Sequence, residues 1–189
     1  MGNFYANITV ATPRAAALQI LGTLGRTAWV ACTPERWSIV CDRECEGQAP
    51  DVLASLALTL STHACSAALA VLNHDDDVLL FGLFEQGTLS AQYGWKTWSS
   101  PWKVPSTSRS VFRGKVHRAF QTQRRPAVAR PRSDALRSVL GRVATVMAMA
   151  EHQMLAAELG MPELSVGAGY RYVGNDEIPH GSRTDFVHT

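Results

Sequence analysis

FYANITVATPRAAALQILGTLG (residues 4–25) is the stretch that decides the fold. Phe4 to Val10 alternates apolar and polar side chains and is rich in β-branched residues, which predicts a strand ending at Thr12-Pro13. Pro13 sits where a helix can begin. Ala15 to Leu24 then supplies good helix formers, with Leu18 and Leu21 on one face and Gly25 as the stop.

Outward from this strand and helix the pattern continues. Thr27 to Thr33 and Trp37 to Asp42 are short β-rich runs separated by Pro34-Glu35-Arg36, a turn composition, so they predict a hairpin. Asp51 stands at a cap-like position before VLASLALTLSTHA, whose Leu53, Leu56 and Leu60 share one helix face ending near His63 or Ala64. Ala67 to Leu72 and Val78 to Phe84 are apolar runs flanking Asn73-His74-Asp75-Asp76-Asp77, and Thr88 to Tyr93 follows Glu85-Gln86-Gly87. Residues 4–72 therefore read β-α-β-β-α-β. The expected class is α+β: a ferredoxin-like antiparallel sheet with two helices on one face, extended by hairpins, with a C-terminal helix and a final strand.

The second half reads differently. WKTWSSPWKVPSTSRS, from Trp95 to Ser110, has no periodicity and predicts a long loop. Val111 to Gln121 predicts a short basic helix, and Pro126 and Pro131 prevent its continuation. Ser133 caps a predicted helix from Asp134 to about Leu159, with Gly141 as a break point and Gly160 as its end. Leu164 to Val173 alternates Val166, Ala168, Tyr170 and Tyr172 and predicts a last strand before a polar tail. The organisation expected is a sheet domain over 1–93, a Trp-, Pro- and Arg-rich segment over 94–133, a helix and strand over 134–175 on the same domain, and a tail over 176–189.

Composition narrows the setting. No run of about 18 apolar residues is present and the first ten residues lack a signal-peptide pattern, so a cytoplasmic protein without membrane association is expected. Of four cysteines, Cys41 and Cys45 are spaced C-x3-C with no second pair; reduced, buried thiols are expected, and a zinc site would need Cys32 or His63 as well. The net charge of +2 conceals a block from Lys103 to Arg142 with eleven basic residues and one acid, Asp134.

Two stretches carry chemistry. No cofactor is expected; Asp75 and Asp77, at alternate positions beside His74, could supply oxygen and nitrogen ligands to a divalent cation, and the plainer role is a solvated turn whose Asp and Asn side chains bond local backbone. His74 could also act as a general base. The basic block sets Arg113, Lys115, Arg118, Arg124, Arg125, Arg130 and Arg132 among Trp98, Trp102, Phe112 and Phe120, as single-stranded nucleic acid binding requires; the plainer role is a solvated helix and loop. No G-x-S-x-G, H-E-x-x-H, Walker or G-x-G-x-x-G motif occurs, and Gly167-Ala168-Gly169 reads as close backbone packing as readily as a phosphate site.

Asn7-Ile8-Thr9, AVLNHDDDVL (70–79) and LGMPELSVGAGYRYV (159–173) resemble a bacterial protein family to which no activity is assigned. The resemblance covers most of 1–93 and 150–175, and it implies a bacterial setting without a mechanism. The expected function is a non-catalytic interaction or regulatory module with a protein partner or self-association as a homodimer. Nucleic-acid binding through residues 103–142 is the alternative, and a metal-dependent enzyme at the Asn73–Asp77 turn is the third reading.

Overall fold

Every residue of β1 (Tyr5–Val10) is buried, and the strand's alternation divides two unlike surfaces. Ala6, Ile8 and Val10 point to a wholly apolar layer. Tyr5, Asn7 and Thr9 point the other way and bring polar groups into the core. The computed structural model describes residues 2–33, 37–95, 108–121 and 147–189. After β1 come α1 (Arg14–Thr23), β2 (Ala28–Cys32), β3 (Ser38–Asp42), α2 (Pro50–His63), β4 (Ala67–His74), β5 (Val78–Glu85) and β6 (Thr88–Trp95). They are followed by α3 (Arg109–Gln121), α4 (Ala148–Leu159), α5 (Tyr170–Gly174) and β7 (Phe186–His188).

The class is α+β. Seven strands form one sheet in the order β6-β5-β4-β1-β3-β2-β7, and every neighbouring pair is antiparallel. Hairpins join β4 to β5 and β5 to β6, with a bulge at Leu83/Phe84 in the second pairing. Helices α1 and α2 cover one face, packing Ala17, Leu21, Leu53, Leu56 and Leu60 on Ile8, Val10, Ala70 and Leu72. Gly25, at φ 64°, lets the chain leave α1 with the Arg26 N–H returning to the Leu21 carbonyl.

The second face is covered too, which the expectation of helices on one face did not include. Helices α3 and α4 set Phe112, Val116, Leu155 and Leu159 on Tyr5, Leu69, Val71 and Phe81. A third cluster of Ala31, Ile39, Cys41, Val173, Ile178 and Phe186 closes the β2–β3 end. No helix among the described residues is long and apolar enough to cross a membrane.

Several predicted boundaries are corrected. Pro50 opens α2 with Ala49 at the N-cap, so Asp51 lies inside the first turn. Strand β4 runs on through Asn73 and His74, leaving three residues, Asp75–Asp77, between it and β5. The predicted strand over 164–173 is a 3₁₀ turn (Glu163–Ser165), a further turn at Val166 and Gly167 (φ 77°), a two-residue link and α5. Its alternation comes from burial against the sheet, and the carbonyls of Ser165 and Ala168 accept hydrogen bonds from the Asn7 side chain, 2.8 Å each, in place of a partner strand. The expected polar tail supplies the last strand: β7 pairs with β2, Phe186 opposite Ala31. Helix α4 ends at Gly160 (φ 65°) as predicted, while the predicted helical residues 134–146 lie outside the described residues.

Candidate functional site

The polar face of β1 organises everything laid over it. The Tyr5 hydroxyl and His152 Nδ1, on α4, are hydrogen-bonded at 2.9 Å, and the two rings stack with centroids 5.7 Å apart. Phe81 meets the same imidazole edge-on at 5.4 Å. His152 is fully buried, Nε2 has no hydrogen-bond partner among the described residues, and burial lowers its pKa to about 3, so it is neutral at physiological pH. Burial pushes the Tyr5 phenol up, so it stays protonated. One residue away, buried Glu151 accepts a hydrogen bond from the Tyr93 hydroxyl at 3.2 Å.

At the acidic turn the structure selects the middle aspartate. Asp75 and Asp76 both take φ 54°, a conformation Asp tolerates, and this turns the Asp76 carboxylate inward. It accepts hydrogen bonds from the Asn3 backbone N–H (3.2 Å), Asn3 Nδ2 (2.7 Å) and Asn73 Nδ2 (2.9 Å). The Asp76 carbonyl accepts the Ala148 N–H at the start of α4. Asp75, Asp77 and His74 are exposed, with His74 edge-on to Phe4 at 5.0 Å. Among the described residues, no group of three or more His, Cys, Asp or Glu side chains is gathered to hold a metal ion.

The basic residues are partly engaged within the fold. Arg113 reaches Glu158 at 3.7 Å, and Lys115 donates to the Ser90 carbonyl at 2.8 Å on the edge strand β6. Arg118 is exposed on α3. Phe112, expected as a stacking platform, is fully buried against Phe81 and Tyr93, because α3 turns its apolar face to the sheet. Arg124, Arg125, Arg130, Arg132, Trp98 and Trp102 lie outside the described residues, as does the side chain of Phe120.

The thiols divide. Cys41 and Cys45 are buried, and burial pushes both upward in pKa, whereas Cys65 is exposed at φ 47°, against the expectation of buried thiols throughout. The glycine pair serves packing. A Cβ on Gly169 would lie 2.9 Å from Tyr5 Cβ, and one on Gly167 would lie 2.6 Å from Pro179 Cγ.

A concave site unmarked by any sequence motif lies where four distant segments meet. An open cleft of about 730 Å³ is bounded by Arg14 at the start of α1, Thr33 after β2, Glu163 and Leu164 after α4, and His180 and Asp185 before β7. Its outer wall is locally braced: Ser182 and Asp185 form a capping box, with Asp185 Oδ2 accepting the Ser182 N–H at 2.8 Å. Gly181, at φ 95°, shapes this wall, since a Cβ there would collide with Leu164 and stand 2.8 Å from Asp185 Oδ2. His180 Nδ1 lies 3.3 Å from Glu163 Oε1. Arg14 is half-buried and has no hydrogen-bonding or ionic partner among the described residues. Nothing local in the sequence marks this site, because its lining residues are separated by up to about 170 positions.

No family model, no curated protein and no solved structure matches the chain.

Proposed function

We propose that this chain is a non-catalytic recognition module of the interaction or regulatory kind, and that the cleft between α1, β2 and the 160–185 segment is its binding surface. The observation that carries the reading is the placement of charge. Arg14, unpartnered among the described residues, lines a concavity of about 730 Å³, while the His152 imidazole, the Tyr5 phenol and the Cys41 and Cys45 thiols are sealed in the core. Ligand sites typically enclose about 300–1,000 Å³ and combine an apolar lining with a few polar groups. A guanidinium at the rim of a concavity without an ionic partner among the described residues is placed to pair with a bound anion.

The architecture supports a recognition role as well. Strands β4-β1-β3-β2 with α1 and α2 have the connectivity of a ferredoxin-like unit, and we propose that β5, β6 and β7 are additions to that unit. The β7 addition and the segment before it complete the cleft wall.

Amide-resolved NMR titration with separate pools of small anions, amines, dipolar molecules and short peptides tests the proposal. The expected result is saturable shifts confined to residues near Arg14, Glu163 and 180–185. Binding that bypasses these residues, or substrate turnover lost on His74→Ala, overturns it.

A further inference from the structure

Resting on the cleft as the binding surface, the lining also restricts the chemistry of the occupant. Arg14 presents a planar guanidinium whose donors have no partner among the described residues, the geometry that pairs a carboxylate through two parallel hydrogen bonds. It stands at the first turn of α1, which contains no acidic residue and whose N-cap, Pro13, offers no capping side chain. The helix therefore adds to the positive potential at Arg14.

The same lining holds two carboxylates, Glu163 and Asp185. Glu163 is exposed and lies near His180, and Asp185 uses one oxygen to hold the Ser182 N–H. A simple dianion such as phosphate meets repulsion from these two groups, and a simple amine leaves Arg14 unpaired. Leu164 supplies an apolar contact, and the volume exceeds what a lone ion fills.

We infer that the cleft of Arg14, Glu163 and Asp185 binds a small dipolar molecule carrying a carboxylate and a protonated amine, the amino-acid class. The carboxylate pairs with Arg14, the ammonium lies toward Glu163 and Asp185, and the remainder of the molecule rests on Leu164.

Calorimetry and thermal unfolding of the full chain with L-leucine, L-serine and L-glutamate, against 4-methylpentanoate, 3-methylbutylamine and inorganic phosphate, test this. At least one amino acid is expected to raise Tm by about 5 °C when present at about 100 times its Kd. Removing either charge from that ligand, or Arg14→Gln in the protein, is expected to weaken binding at least about tenfold. Glu163→Gln should weaken the amino acid while leaving 4-methylpentanoate unchanged. Phosphate or the amine binding in the cleft in place of all three amino acids overturns the dipolar assignment and leaves the cleft as a recognition surface. Cleft amides unmoved by every probe overturn both. Arg14→Gln sits on a half-exposed side chain without partners, so its unfolding midpoint serves as the folding control.

Discussion

His152 makes the stability of this fold depend on pH in a calculable way. Its imidazole is fully buried, and burial lowers its pKa from 6.5 to about 3. The unfolded chain takes up a proton as pH falls through about 6.5, whereas the folded chain declines it until about 3. The unfolded state therefore binds more protons throughout that window, and stability is lost as pH falls through it. The slope approaches about 1.4 kcal/mol per pH unit, which integrates to about 2 kcal/mol between pH 7.5 and 5.0 and to about 4 kcal/mol by pH 3.

Urea unfolding followed by tryptophan fluorescence and circular dichroism measures the effect. With a urea slope of about 2 kcal/mol per molar, a loss of 2 kcal/mol moves the midpoint by about 1 M. The control is His152→Asn, whose amide keeps a polar atom near the position of Nδ1, opposite the Tyr5 hydroxyl, and does not titrate. The variant is less stable at neutral pH, yet its stability should be nearly flat between pH 7.5 and 5.0 apart from contributions shared with the wild type. Subtracting the two profiles removes the exposed histidines and the carboxylates, Glu151 among them. Parallel wild-type and variant profiles over this range would refute the burial argument.

Three further outcomes follow from specific contacts. Asp76→Asn keeps the side chain's size and its tolerance of φ 54° but sets an amide against the donors of Asn3 and Asn73; it should cost about 1–3 kcal/mol by urea unfolding, and an unchanged midpoint would show that those hydrogen bonds contribute nothing. Gly169→Ala places a Cβ 2.9 Å from Tyr5 Cβ and 3.3 Å from its Cα, so overpacking against backbone should cost about 1–3 kcal/mol, read as a lower Tm. Thiol labelling with a chromogenic disulfide should modify Cys65 in the native state and reach Cys41 and Cys45 only on unfolding; rapid native labelling of Cys41 would contradict the closure of the β2–β3 end, and of Cys45 the packing of the α1–α2 face.

The first half of the chain is legible because local pattern and tertiary role agree there. Alternation in Phe4–Val10, the paired β-rich runs Ala28–Cys32 and Ser38–Asp42 and the Leu53–Leu56–Leu60 face each specify an element that the sheet then uses, while Pro34–Arg36, read as a turn, lie outside the described residues. From Leu164 onward they part. Val166, Ala168 and Tyr172 alternate because they lie against Tyr5 and the β2–β3 end, and long-range hydrogen bonds from Asn7 take the carbonyls a strand would need. At the acidic turn, alternation singled out Asp75 and Asp77 on the assumption of extended backbone. Two consecutive positive φ values send Asp76 inward instead. His152 was equally unmarked, since a single histidine in an apolar helix looks the same whether it faces water or Tyr5.

The misreadings of 164–173 and of His152 share a cause that bears on the cleft. Polar residues in a central, doubly covered strand are costly unless each finds a partner, and β1 carries three of them on one face. Asn7 resolves its donors by binding the link before α5 and Tyr5 resolves its hydroxyl on α4, while Asn7 Oδ1 and Thr9 Oγ1 stay without a partner among the described residues. The Tyr172 hydroxyl returns a hydrogen bond from the other side, accepting the Phe4 N–H at 3.2 Å. The cleft wall from Met161 to Asp185 is thus suspended between β1 at one end and the three-residue β7 ladder at the other. Replacing Asn7 with leucine should therefore leave the α1–α2 face intact while loosening Glu163, His180 and Asp185. Hydrogen exchange would show this as faster exchange at 163–185 with little change in β4 and β5. Uniformly faster exchange through the sheet would mean that Asn7 supports the whole fold, and the cleft would lose its separate mechanical basis.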